Sequence, residues 1–150
     1  MSKLEKILPF IALIGFVFKL LDVPLSGPLI VTSLSILAIL YYPFGFALLN
    51  HIRLSYIFKK SSYKEIPVFN LIGGFISGLI LFSSIVGAMF SILSWPGAKA
   101  IMVSVSIPNV LLLIISGLKF IQTKEAFFLG ILYRVILIGT SAAVVSIANI

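Results

Sequence analysis

From Val68 to Leu93 the chain carries no charged residue, and the same holds from Pro28 to Asn50. Runs of this length constrain the fold more than any motif. About 20 apolar residues in a helix span the hydrocarbon core of a bilayer. In lipid, only helices and closed barrels pair all their backbone groups. The runs are continuous, not the short alternating segments of a barrel. Composition agrees: 61% of residues are hydrophobic and 10% charged, against about 25% charged in a soluble domain. The sequence therefore predicts an all-α integral membrane protein, a single transmembrane domain over residues 1–150. Five helices are expected: from Leu4 or Ile7 to Leu21, Pro28–Asn50, Val68–Leu93, Ala98–Leu118, and from Ala126 to the C-terminus.

Charge distribution then sets orientation. Lys3 and Lys6, the loop with Arg53, Lys59, Lys60 and Lys64, and the turn with Lys119 and Lys124 all fall on one side. Cytoplasmic loops are rich in Lys and Arg, so the N-terminus is expected in the cytoplasm and the C-terminus outside. The net charge of +7 is assigned to these loops. Nucleic acid is excluded as a partner, because no basic stripe lies on a soluble domain. The start "MSKLEK" is read as part of a retained helix, since no small-residue cleavage site follows. Tyr56, Ile57 and Phe58 beside Lys59 and Lys60 suit the headgroup boundary.

The chain also repeats itself. At a constant offset of 72 residues, Phe10 meets Phe82, Gly15 meets Gly87, Phe18 meets Phe90, Pro24 meets Pro96 and Gly45 meets Gly117. The register holds across two helices and the turn between them. Two parallel helical-hairpin repeats are expected, over about 7–50 and 79–122, followed by a fifth helix over about 126–150. Matched glycines and prolines carry weight because backbone geometry selects them. Each turn has a proline, Pro24 or Pro96, to end the helix. Trp95 suits the interface, and Gly97 eases the reversal.

The two turns, "FKLLDVPLS" and "FSILSWPGA", resemble the "FKxxxWPGA" turn of the GldL-type inner-membrane proteins of Bacteroidota. The resemblance rests on Phe18, Lys19 and Pro24 in one copy, and on Phe90, Trp95, Pro96, Gly97 and Ala98 in the other. It covers one hairpin at a time. It implies a hairpin of a bacterial inner membrane, with the N-terminus in the cytoplasm and the C-terminus in the periplasm, linked to a gliding or type IX secretion-like assembly. The motor of that family uses a membrane-embedded glutamate in the helix after the turn. Here Leu37 and Asn109 stand in about that region. Glu5, Glu65 and Glu125 are assigned to the inner helix ends and Asp22 to the outer turn, which leaves no acid in a helix core. Motor function is therefore not carried over.

Two polar residues stand out as a candidate intramembrane site. Arg134 lies about 12 Å into the fifth helix, at about 1.5 Å per residue. Its long stem either carries the charge to the headgroups or faces inward, toward backbone carbonyls or a partner subunit's carboxylate. Asn109 follows Pro108, and its amide is expected either to satisfy the carbonyl that proline frees or to mark a polar site between the hairpins. Lys19 and Asp22, three apart, can pair on one helix face. Gly74, Gly78 and Gly87, continued by Ser83 and Ser91, and Gly139 with Ala143, are small residues that let helices pack closely.

No cysteine and a single histidine leave no thiolate or His-based metal set within the chain. No nucleophile–base pair, carboxylate dyad or phosphate loop is present either. No catalytic residue, metal or cofactor is expected. The sequence favours a non-catalytic membrane subunit or scaffold, its partners the lipid bilayer and either a membrane protein or further copies of itself. The alternative is a small oligomeric transporter or channel with a polar site near Asn109 and Arg134.

Overall fold

A computed structural model describes residues 3–139, with Leu54 by its backbone alone. It is helical: α1 (Lys3–Leu20), α2 (Ser26–Leu49), α3 (Val68–Ile92), α4 (Ala98–Thr123) and α5 (Ala126–Arg134), the last running into a π-helical turn, Val135–Gly139. No strand occurs among the described residues. Two short 3-10 turns, Leu54–Tyr56 and Lys60–Tyr63, lie between α2 and α3. The remainder of the expected fifth helix, including Ala143, lies outside the described residues.

Three of the five helices, α2, α3 and α4, are long and apolar enough to cross a membrane. Among the described residues these are the expected spans that meet this measure; part of the expected fifth span lies outside them. The 18 residues of α1 include Lys3, Glu5, Lys6 and Lys19, and α5 with its π turn forms a shorter apolar segment, Ala126–Gly139. The fourth helix runs past its expected end at Leu118 to Thr123, where Lys124 adopts φ 56° and donates its N–H to the Phe120 carbonyl at 2.9 Å.

Proline is not what ends α1 and α3. Asp22 and Ser94, two residues before Pro24 and Pro96, adopt left-handed φ of 53° and 54°. The Val23 N–H reaches the Phe18 carbonyl at 2.9 Å, and Asp22 reaches Lys19 at 3.2 Å. In the other turn Trp95 reaches Phe90 at 2.9 Å and Ser94 reaches Ser91 at 3.1 Å. Both are Schellman motifs, which satisfy the last carbonyls of a helix. Proline then bars further helix. The turns differ in one respect. Gly97, before α4, has φ 87°, whereas the residue 72 positions earlier, Leu25, has φ −81°.

Packing follows the chain: α1 on α2, α2 on α3, α3 on α4, with α5 folded back across the bundle. The closest approach joins α2 and α3. A Cβ on Gly45 would sit 2.5 Å from the Gly78 Cα, and one on Gly74 would sit 3.0 Å from the Phe46 Cα. Backbones this near leave no room for a side chain. The small residues of α3 do not form one stripe. Gly74 and Gly78 face α2, whereas Gly87 faces Met102 and Ile101 of α4. Ser83 is only partly buried; the buried polar residues of α3 are Asn70, Ser77, Ser84 and Ser91, each seven after the last. Leu34, Leu37, Tyr41, Leu81, Ile85, Phe128 and Ile131 belong to the central core. Gly139 borders α4: a Cβ added there would lie 4.0 Å from Asn109 Oδ1.

Candidate functional site

Arg134 faces the interior of the bundle and does not reach out along its stem. It is 2% exposed, and its neighbour is Glu5, 1% exposed. The guanidinium grips the carboxylate side-on, with Nε donating to Oε1 at 2.8 Å and Nη2 to Oε2 at 3.1 Å. Tyr41 completes the cluster. Its hydroxyl donates to Glu5 Oε1 at 2.7 Å and accepts from Arg134 Nε at 3.1 Å. Nη1 donates to the Gly130 carbonyl at 3.1 Å. Gly130 has no side chain to intrude here; a Cβ would lie 3.2 Å from Nη1.

Glu5 stands in the first turn of α1, at the helix end where the sequence reading put it, but it is buried against the bundle. Tyr41 lies about 12 Å from the Leu49 end of α2, at about 1.5 Å per residue, and Glu5 lies level with it. Of the directions left open for Arg134, the inward one holds: it bonds a backbone carbonyl, that of Gly130, and a carboxylate supplied not by a partner subunit but by its own chain, 129 residues away. A bidentate pair of this kind is short and strong. Its charges cancel, so the cluster is neutral as a whole. Removing one partner strands the other charge, which typically costs about 3–5 kcal/mol.

A signal for Glu5 was present. The buried residues of α1 are Glu5, Leu8, Ala12 and Gly15, a helical stripe. Lys3 and Lys6 flank Glu5 but fall off that face. Moreover, the chain holds only four acidic residues, so a buried arginine had few partners to choose from.

Asn109 makes a separate contact. Its Nδ2 donates to Ser84 Oγ at 2.7 Å and to the Val105 carbonyl at 2.9 Å. The carbonyl freed by Pro108 belongs to Ser104, one turn earlier, so the amide does not serve the acceptor expected of it. Its Oδ1 is buried without a hydrogen-bond partner among the described residues, as is Ser77 Oγ. Arg134 and Asn109 therefore engage different partners on different helices and do not form one polar site.

Two further polar links escaped the sequence reading. Near the 50–67 connection, Asn50 Nδ2 donates to the Asn70 carbonyl at 3.1 Å, and Asn70 Nδ2 donates to Glu125 at 3.4 Å. These tie the end of α2 to the starts of α3 and α5. At the opposite end, the Lys19 amine donates to the Ile92 carbonyl at the end of α3. Lys19 therefore caps α3, where a pair with Asp22 had been expected. Trp95 stacks edge-on against Phe90, with ring centroids 5.1 Å apart. Among the described residues no group of three or more metal-ligating side chains is present. Comparison with protein families, with curated proteins and with solved structures finds no match.

Proposed function

We propose that this chain is a non-catalytic, multi-pass membrane subunit that docks a partner transmembrane helix on α4. The observation that carries the reading is the contrast between α4 and α2. On α2, Leu34, Ala38, Tyr41 and Leu49 are buried, and Gly45 is in backbone contact with α3. At the same offset on α4, Ser106, Val110, Leu113 and Ile121 are exposed, and a Cβ on Gly117 would meet nothing within 4 Å. A glycine in an open apolar helix face suits close helix approach. The ion pair supports the reading too, because its groups bond to one another and are not left facing a pathway. The basic loops favour an orientation with the N-terminus inside, and the resemblance of the turns points to a bacterial inner membrane. The repeated turn keeps a GldL-like assembly as the setting.

The absence of cysteine makes the test direct. Single cysteines at Val110 and Ile114 should cross-link in native membranes to one adduct of defined size, and a cysteine at exposed Ile39 on α2 should not. Adding Gly117→Leu should abolish the adduct. Cross-linking no stronger at Val110 than at Ile39 would leave α4 as a lipid-facing helix and sink the proposal.

A second reading, a small transporter or channel, draws on one observation. Ser77 Oγ and Asn109 Oδ1 are buried polar atoms without partners among the described residues, and such groups mark water or ion positions. Selective ion flux through liposomes holding the purified chain, lost in Asn109→Leu, would favour this reading over the first.

A further inference from the structure

We infer that a recess beside the end of α2 binds the phosphate of an anionic phospholipid headgroup. The recess has a volume of about 300 Å³ and is lined by Asn50, His51, Ile52, Arg53, Tyr56, Ser62 and Ile66. The inference rests on the membrane reading of the chain. It is independent of what packs on α4.

Local structure builds the recess. α2 ends in a third Schellman motif: His51 adopts φ 59°, and the Ile52 N–H reaches the Ala47 carbonyl at 2.8 Å. The reversal buries Ile52 as an apolar floor and leaves His51 and Arg53 exposed on either side of it. The following turns are held by their own contacts. Ser62 Oγ donates to the Tyr56 carbonyl at 3.1 Å, Tyr63 donates to the Ile57 carbonyl, and the Lys59 amine lies 4.6 Å over the Tyr56 ring. The recess thus has a fixed wall as well as a floor.

Its chemistry points to an anion. The side chains of Arg53 and His51 enter no hydrogen bond or ion pair among the described residues, although the Arg53 carbonyl accepts from the Tyr56 N–H at 2.8 Å. A guanidinium presents a planar fork that matches phosphate oxygens. Lys59, Lys60 and Lys64 raise the local positive potential, and the one acid of the loop, Glu65, does not line the recess. Position points to a lipid as the source. Arg53 lies just beyond the end of an apolar helix, at the height where headgroups begin. Phe58 stands 96% exposed between these basic residues, the pattern of a segment lying in the interface with an aromatic anchor. A soluble phosphate would need no such anchor.

The test uses the full chain purified in mild detergent. Native mass spectrometry follows its retention of phosphatidylglycerol, phosphatidylcholine and glycerol phosphate. One phosphatidylglycerol per chain should be retained at least about tenfold more tightly than phosphatidylcholine. Arg53→Ala should weaken it about fivefold or more, as expected for one basic contact at a membrane surface. Lys119→Ala, a basic residue outside the recess, should leave it unchanged. Circular dichroism checks that each variant stays helical. Equal retention of the two lipids, or equal loss in Arg53→Ala and Lys119→Ala, would overturn the site. Displacement by glycerol phosphate would assign the recess to soluble phosphate esters and overturn the lipid assignment. Release of the chain from membranes by carbonate would instead sink the membrane reading itself.

Discussion

The two hairpins, α1–α2 and α3–α4, share their turns but not their surroundings. The same Schellman bonds close both. Gly15 meets Leu29 and Ile30 in the first, and Gly87 meets Ile101 and Met102 in the second, each at the offset of 72 residues. The inner surface of each hairpin is thus built alike. The outer surface is not. Gly45 is pressed against Gly78, and Gly117 stands open. Glu5 is held by Arg134 and Tyr41, whereas its counterpart Ser77 is buried without a partner among the described residues. The counterpart of Tyr41 is Leu113, which has no hydroxyl to offer. A repeated sequence therefore specifies how each hairpin folds on itself, and the elements beside it, α3 against α2 and α5 against the cluster of Glu5 and Tyr41, decide what else it touches.

The sharpest way to break this comparison is to enlarge the paired glycines. Gly45→Leu should abolish folding or lower stability by more than about 3 kcal/mol, since backbone on the facing helix cannot yield as a side chain can. Gly117→Leu should stay within about 0.5 kcal/mol of the parent. Thermal unfolding in detergent reads both, and equal effects would end the asymmetry.

Next in size is the polar pair of positions. Glu5→Gln or Arg134→Gln alone should cost about 3–5 kcal/mol, because each strands a buried charge. Glu5→Leu combined with Arg134→Met should recover most of that loss. Ser77→Ala should be neutral or stabilising, because it removes a hydroxyl that satisfies no partner. A double-mutant cycle with a coupling below about 1 kcal/mol would show that the ion pair is not what locks α5 to the first hairpin.

The smallest expected effect lies at the turn end. Lys19→Met should cost about 0.5–1 kcal/mol by removing a cation from the α3 C-terminus. The loss should shrink at high salt, as screening requires. An unchanged melting temperature at low salt would mean that the link between the two turns carries no stability.

Much of the architecture was legible in one dimension. The long apolar runs, two of them free of charge, set three long helices, because helix length and apolar content are properties of a continuous segment. The start of α3 at Val68 and of α4 at Ala98 match the sequence reading, since prolines and small residues mark them locally. Even the turn was located correctly, though its cause was assigned to Pro24 and Pro96 and belongs to Asp22 and Ser94. A left-handed φ at a non-glycine residue leaves little trace in composition.

What the sequence could not decide was which faces meet. Glu5 was read only as a residue of an inner helix end, and only the rotation of α1 against α2 turns it toward Tyr41 and Arg134. Arg134 offered two directions with equal chemistry, and the choice came from a carboxylate 129 residues away. Asn109 lay beside the expected proline but bonded across to Ser84. The sequence by itself determined an all-helical chain, its element order and its paired turns, because local backbone preference and segment hydropathy act over a few residues. Only the tertiary structure decided that Glu5, Tyr41 and Arg134 form one neutral cluster and that Gly45 is covered while Gly117 is bare. Those outcomes depend on packing between segments far apart in the chain, and a side chain's own neighbours in sequence do not encode its partners in space.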